Sequence, residues 1–114
     1  QASRYSRLCH LLDRNNIDVI CAALSNYPEW QRWNRNKFKS YREVYLDVTL
    51  DTVIRRDPKG IYAAALNGTK KHVVGIDVEF SPPTNADLVI DNNVDRTDFS
   101  SIVEHIHKSL MLID

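Results

Sequence analysis

Residues 17–24, IDVICAAL, carry seven apolar side chains in eight positions, between the polar breakers Asn15-Asn16 and Ser25-Asn26-Tyr27-Pro28. The run is too continuous for a strand wet on one face and too short for a helix. A strand buried on both faces, as in a parallel sheet, fits it. EVYLDV within 42–48 and DLVID at 87–91 read as two more short strands. Helical stretches separate them. Residues 4–15 carry an apolar stripe at Leu8, Cys9, Leu11 and Leu12, and 29–38 starts behind Pro28 with Trp30 and Trp33 along it. A short helix follows a Thr49 cap with Ile54 inward, another covers 61–66, and 99–112 closes the chain behind a Thr97 or Asp98 cap. The last stripe is Phe99, Ile102, Val103, Ile106 and Leu110. Strands alternating with helices, and no hairpin signal, predict an α/β fold with a parallel sheet and right-handed crossovers. Ligands in such sheets bind beyond the carboxyl ends of the strands, here around Leu24-Ser25, Val48-Thr49 and Ile90-Asp91.

At 114 residues the chain is one domain's worth, which excludes a large multidomain enzyme. No apolar run approaches the ~20 residues of a membrane span, and no secretory leader is visible. A cytoplasmic protein is expected. Cys9 and Cys21 are too few for a disulfide scaffold and lack zinc-knuckle spacing, so buried thiols are expected. Fifteen basic and fifteen acidic side chains cancel, but residues 1–60 sum to +4 (eleven basic, seven acidic) and 61–114 to −4 (four basic, eight acidic). No concentrated basic face for duplex nucleic acid results, whereas a compact site for an anionic small molecule, with its arginines in the first half, fits.

RRDPKG at 55–60 crowds Arg55, Arg56, Asp57 and Lys59 around a proline. Cations on a hinged loop between helical pieces suit a lid closing on phosphates; a solvated helix end is the plainer reading. Ser25 ends a strand just before a helix, where its hydroxyl and the helix N–H groups face an anion site, or where it simply caps the helix. Arg32 and Arg35, three apart, either hold a phosphate or pair with carboxylates. Asp77 is placed to orient the base of the lid. No metal-ligand spacing occurs, and none of Gly60, Gly68 and Gly75 lies in a G-x-x-x-x-G-K-[ST] pattern.

RRDPKGIYAAALNG (55–68) followed by VVGIDVEFSPPTNADLVIDN (73–92), with IDVICAALSNY (17–27) upstream, resembles the adenylylsulfate kinase family over nearly the whole chain. The resemblance implies a three-layer P-loop nucleotide kinase fold, incomplete as given, with the family's third, fourth and fifth strands. It makes residues 1–114 the C-terminal portion of one domain, with a lid at about 55–76. It implies transfer of the γ-phosphate of ATP, with Mg²⁺, to the 3′-hydroxyl of adenosine 5′-phosphosulfate in sulfate assimilation. Carried over by position, Ser25, Asp57 and Lys59 are the catalytic candidates. Arg56, Gly75, Ile76, Pro82 and Pro83 are the candidates for ATP, and Arg4, Leu24, Ser25, Lys59, Ile61 and Val73 those for the nucleotide substrate. Homodimers are common in the family; neither a nucleic-acid partner nor a membrane is expected.

Three departures concern the acceptor. The family's lid ends in a phenylalanine that stacks on adenine, and Val73 stands there; a β-branched side chain has no π-face, and stacking is worth ~1–3 kcal/mol. Asn26-Tyr27-Pro28 replaces a Pro-Tyr-Arg run, and Ala63 and Ala64 stand where lysines are usual. A sibling kinase for another nucleotide, such as a cytidine diphosphate derivative used in surface polysaccharide modification, is therefore the alternative, beside a non-catalytic nucleotide-binding module. The resemblance also places a P-loop, most Mg²⁺ ligands and a first strand, which lies between the strands at 17–24 and 42–48, ahead of Gln1. The 114 residues alone are expected to be inactive, with unpaired strand edges at ~1–3 kcal/mol per buried group.

Overall fold

The structure, a computed structural model, describes residues 1–24 and 27–111. They form two compact units, the described residues of 1–42 with 81–83, and of 43–80 with 84–111.

The first unit holds α1 (Ala2–Arg14) and α2 (Pro28–Lys37), which pack on each other. Asn16 stops α1 by adopting φ 60, so that its N–H reaches Asp13 O and the Ile17 N–H reaches Leu12 O. Such a left-handed closure satisfies the last carbonyls of a helix, and Asn tolerates it. Pro28 sits in the first turn of α2, where its missing N–H costs nothing. Trp30 and Trp33 are half-buried in an aromatic cluster, not an exposed patch. His10 meets Trp33 and Phe38 edge-on at 5.5 and 5.7 Å, and Phe38 stacks on Tyr41 at 5.8 Å.

The strand expected at 17–24 does not form: these residues are in neither strand nor helix, and Ile20 is 100% exposed. Apolar composition makes a strand only where a neighbour takes up its N–H and C=O groups, and none of the described residues pairs here. The expected burial of both thiols fails with it. Cys21 is exposed and Cys9 half-buried, both as free thiols. Burial, and then the nearby Cys21 thiol, push the Cys9 thiol up from its ordinary value.

The second unit holds β1 (Val44–Asp47), α3 (Leu50–Arg56), α4 (Ile61–Leu66), β2 (Leu88–Asp91) and α5 (Ser100–Met111). β1 and β2 pair in parallel with Val44 opposite Leu88 and Asp47 opposite Asp91. Asp87 fixes this register by accepting the Glu43 N–H at 2.7 Å. The α/β class and the parallel pairing are as expected, with two strands among the described residues instead of three. Among the described residues the buried apolar ones are Val73, Ile90 and Leu110, all in this unit. α5 packs on β2, burying Leu110 and half-burying Ile102 and Ile106, while Phe99 and Val103 of the expected stripe stay exposed. Two strands are too narrow to cover the whole stripe. Asp98 caps α5, accepting from the Ser100 N–H at 2.9 Å and its hydroxyl at 2.6 Å.

Candidate functional site

The carboxyl ends of both strands meet at Asp47 and Asp91, and the segments leaving them are tied together. Asn92 donates its N–H to Asp47 O at 2.7 Å. The Asn93 side-chain oxygen accepts the Thr49 N–H at 2.9 Å and lies 3.2 Å from its hydroxyl. Thr49 in turn caps α3, accepting the Thr52 N–H at 3.3 Å. Asp91 accepts both the N–H and the side-chain amide of Asn93, which hold its carboxyl below the ordinary range. Burial, then the Asp47 carboxylate, push the Tyr45 phenol up.

From α3 the chain enters the expected lid. Asp57 turns its carboxylate onto the start of α4, accepting the Tyr62 N–H at 3.0 Å and the Ala63 N–H at 2.9 Å. Gly60 adopts φ 65, and its N–H returns to Asp57 O at 3.1 Å. The DPKG pattern is thus intelligible one residue at a time: Asp57 supplies the acceptor, Pro58 restricts the turn, and Gly60 takes the left-handed position. Lys59 stands exposed between them. The Asp57 carboxylate has a structural task of its own. Asp57→Ala is expected to lower stability by ~0.5–2 kcal/mol, as loss of a helix cap does, with Asp57→Asn intermediate. Urea melts of the two variants check this; a turnover loss far beyond the stability loss would return Asp57 to the chemistry.

The far end of the expected lid is a tight turn. His72 adopts φ 61, rare for a side chain other than glycine, and Asp77 holds it there. The Asp77 carboxylate accepts the His72 N–H at 2.8 Å and the Val73 N–H at 2.7 Å. These two bonds, the His72 one first, hold its carboxyl below the ordinary 3.8. A depressed folded value means the contribution is present above the unfolded value and lost as pH falls through the folded one. The amide shifts of His72 and Val73 are therefore expected to titrate with a midpoint below 3.8; a midpoint at or above it would contradict the bonding. Gly75, at φ 92, presses on α3: a Cβ there would lie 3.3 Å from Leu50 Cδ1.

The expected site residues divide between the units. Arg56, Asp57, Lys59, Ile61, Val73, Gly75 and Ile76 belong to the second, and Arg4, Leu24, Pro82 and Pro83 to the first. Within the first, Arg4 is exposed on α1, and Leu24 lines a cleft of about 200 Å³ against Ala2 and Tyr5. Ser25 lies outside the described residues. Val73 is 6% exposed, so its side chain belongs to the core. Arg35 lies over the Tyr41 ring at 5.1 Å, while Arg32 is exposed. The sequence reading missed Asn92, Asn93 and Asp95, which face α3 across about forty residues of chain; only the pairing of β1 with β2 brings them there. The described residues bring together no group of three or more His, Cys, Asp or Glu side chains, so they offer no preformed cage for Mg²⁺. No described helix is long and apolar enough to cross a membrane.

The chain is similar to known proteins along nearly all its length. A profile of the adenylylsulphate kinase family matches residues 1–91. The cytidine diphosphoramidate kinase of Campylobacter jejuni subsp. jejuni is 37% identical over 111 residues, which are 97% of this chain and 64% of that protein. A probable adenylyl-sulfate kinase of Archaeoglobus fulgidus is 37% identical over 82 residues, 72% of this chain and 53% of that one. A crystal structure matches with a TM-score of 0.77 and 30% identity, over 98% of this chain and 64% of that one. Together with the parallel β1–β2 pair, this match assigns a partial α/β fold of the P-loop kinase type. The chain spans 64% and 53% of the lengths of the two relatives.

Proposed function

Because the chain belongs to the adenylylsulphate kinase family, we propose that it is the lid-bearing, C-terminal portion of a kinase moving the γ-phosphate of ATP to the 3′-hydroxyl of a nucleotide acceptor. The first reading of the acceptor is adenosine 5′-phosphosulfate. The observation that carries the proposal is the 55–60 turn: a helix end rich in cations, an Asp57-capped restart at α4, and Lys59 exposed on a glycine hinge. In the transfer, the acceptor hydroxyl gives up its proton to a base or to water, its oxygen bonds to the γ-phosphorus, the bond from that phosphorus to the bridging oxygen breaks, and ADP leaves. Charge spreads over the moving phosphoryl oxygens, and a positioned ammonium there lowers the barrier. Lys59 supplies it. On this reading the P-loop and most of the Mg²⁺ ligands belong to a part of the complete protein outside these residues.

A second acceptor has its own support. The lid ends on a buried Val73 and offers no ring from that position, and the chain is 37% identical to a cytidine diphosphoramidate kinase over 97% of its length. A cytidine diphosphate derivative is therefore the competing substrate. The test is to assay the complete protein with ATP against adenosine 5′-phosphosulfate and cytidine diphosphoramidate in parallel. The acceptor with the higher kcat/KM decides between them. Tight ATP binding without transfer to either would leave a nucleotide-binding module.

A further inference from the structure

We propose that Asp95 is a positioning residue for the lid: through Arg56 it fixes the helix from which Lys59 is carried. The inference rests on the kinase reading above for its consequence, but on geometry for its existence. The Arg56 Nε–H donates to Asp95 Oδ1 at 2.9 Å, and its Nη1 donates to Asn92 O at 2.6 Å. Its Nη2 lies 2.9 Å from the same Oδ1, without the alignment of a hydrogen bond. Arg55, the preceding residue, places Nη1 3.2 Å from Oδ2 and Nη2 3.4 Å from Oδ1. Successive residues on a helix diverge by about 100°, so two adjacent guanidiniums meet one carboxylate only if it sits astride the helix end.

An exposed ion pair by itself stabilises little. Asp95 and Arg55 are exposed, at 64% and 58%, but the Arg56 side chain is only 26% exposed. A cation drawn that far out of water needs its partners. The same loop also grips the other end of α3, where Asn93 accepts the Thr49 N–H. Residues 92–95 therefore clasp α3 at both ends, and the first free joint of the lid is the Asp57–Gly60 turn. Arg56, which the sequence assigned to the phosphates, commits its Nε and Nη1 donors to this clasp, whereas Lys59 three residues on is exposed.

The opposite arrangement, with Asp95 as a latch that phosphate must displace from Arg56, differs in the sign of its effect. In the complete protein, Asp95→Asn is expected to lower kcat ~10-fold with the KM for ATP unchanged or raised, because it misplaces the Lys59 ammonium that acts on the transferring group. Asp95→Glu should recover most of the loss. Arg56→Gln with Asp95→Asn should be no worse than Arg56→Gln alone, since the two act as one unit. A fall in the KM for ATP on Asp95→Asn, additivity of the pair, or no change in any variant would overturn the proposal. Amide exchange over residues 50–57 is the second readout and needs no activity: Asp95→Asn should speed it ~10-fold. If the wild-type complete protein transfers no phosphate, the kinase reading falls and the exchange data alone judge the clasp. Unchanged exchange would then reject it.

Discussion

Lys59→Ala in the complete protein is expected to lower turnover ~100-fold or more while leaving the thermal midpoint almost where it was. The size follows from the loss of one preorganised charge at a transferring group, which costs ~10²–10³ in rate. The indifference of stability follows from the structure. Lys59 is exposed, in a turn whose shape depends on its neighbours: Asp57 caps α4 and Gly60 supplies the left-handed residue. Removing the ammonium leaves both in place. Parallel measurement of kcat and of the melting midpoint checks this. A midpoint falling in step with kcat would make Lys59 structural, and the lid would lose its assigned cation.

Val73→Phe separates the two readings of the lid's far end. If position 73 faced the acceptor, a ring there would add stacking with an adenine and tighten adenosine 5′-phosphosulfate binding. The side chain is instead 6% exposed, with its N–H held by Asp77. Extra ring volume in such a place forces neighbours off their rotamers, for a loss of ~1–3 kcal/mol. The expected outcome is a lower midpoint in denaturant with no gain in affinity for the adenylyl acceptor. Tighter binding at unchanged stability would show that the ring reaches the nucleotide and would favour the adenylylsulfate reading.

What was legible in the chain was local. The Thr49 cap, the start of α2 at Pro28 and the helix between Gly60 and Asn67 follow from residue types that do one thing well in one position. The strand at β2 was legible because DLVID is apolar between turn residues and finds β1 beside it. The run at 17–24 is more apolar than either strand, yet takes no regular structure, because pairing belongs to a second segment and not to the run itself. The same limit governs the site. The cations at 55–59 stood out as a cluster in sequence. The carboxylate that engages Arg55 and Arg56 lies at 95, and nothing short of the parallel register says that the two stretches meet. The burial of Val73 was not legible for a related reason: position in a motif gives the backbone's place, and burial is decided by what packs around it.

The most direct measurement is phosphoryl transfer by the complete protein, followed by ³¹P NMR or by radiolabel from γ-labelled ATP, with adenosine 5′-phosphosulfate and cytidine diphosphoramidate as acceptors. The expected result is label on one of these nucleotides, abolished or reduced ~100-fold by Lys59→Ala. Label on neither acceptor, with ATP intact, would contradict the assignment of this chain to a working nucleotide kinase.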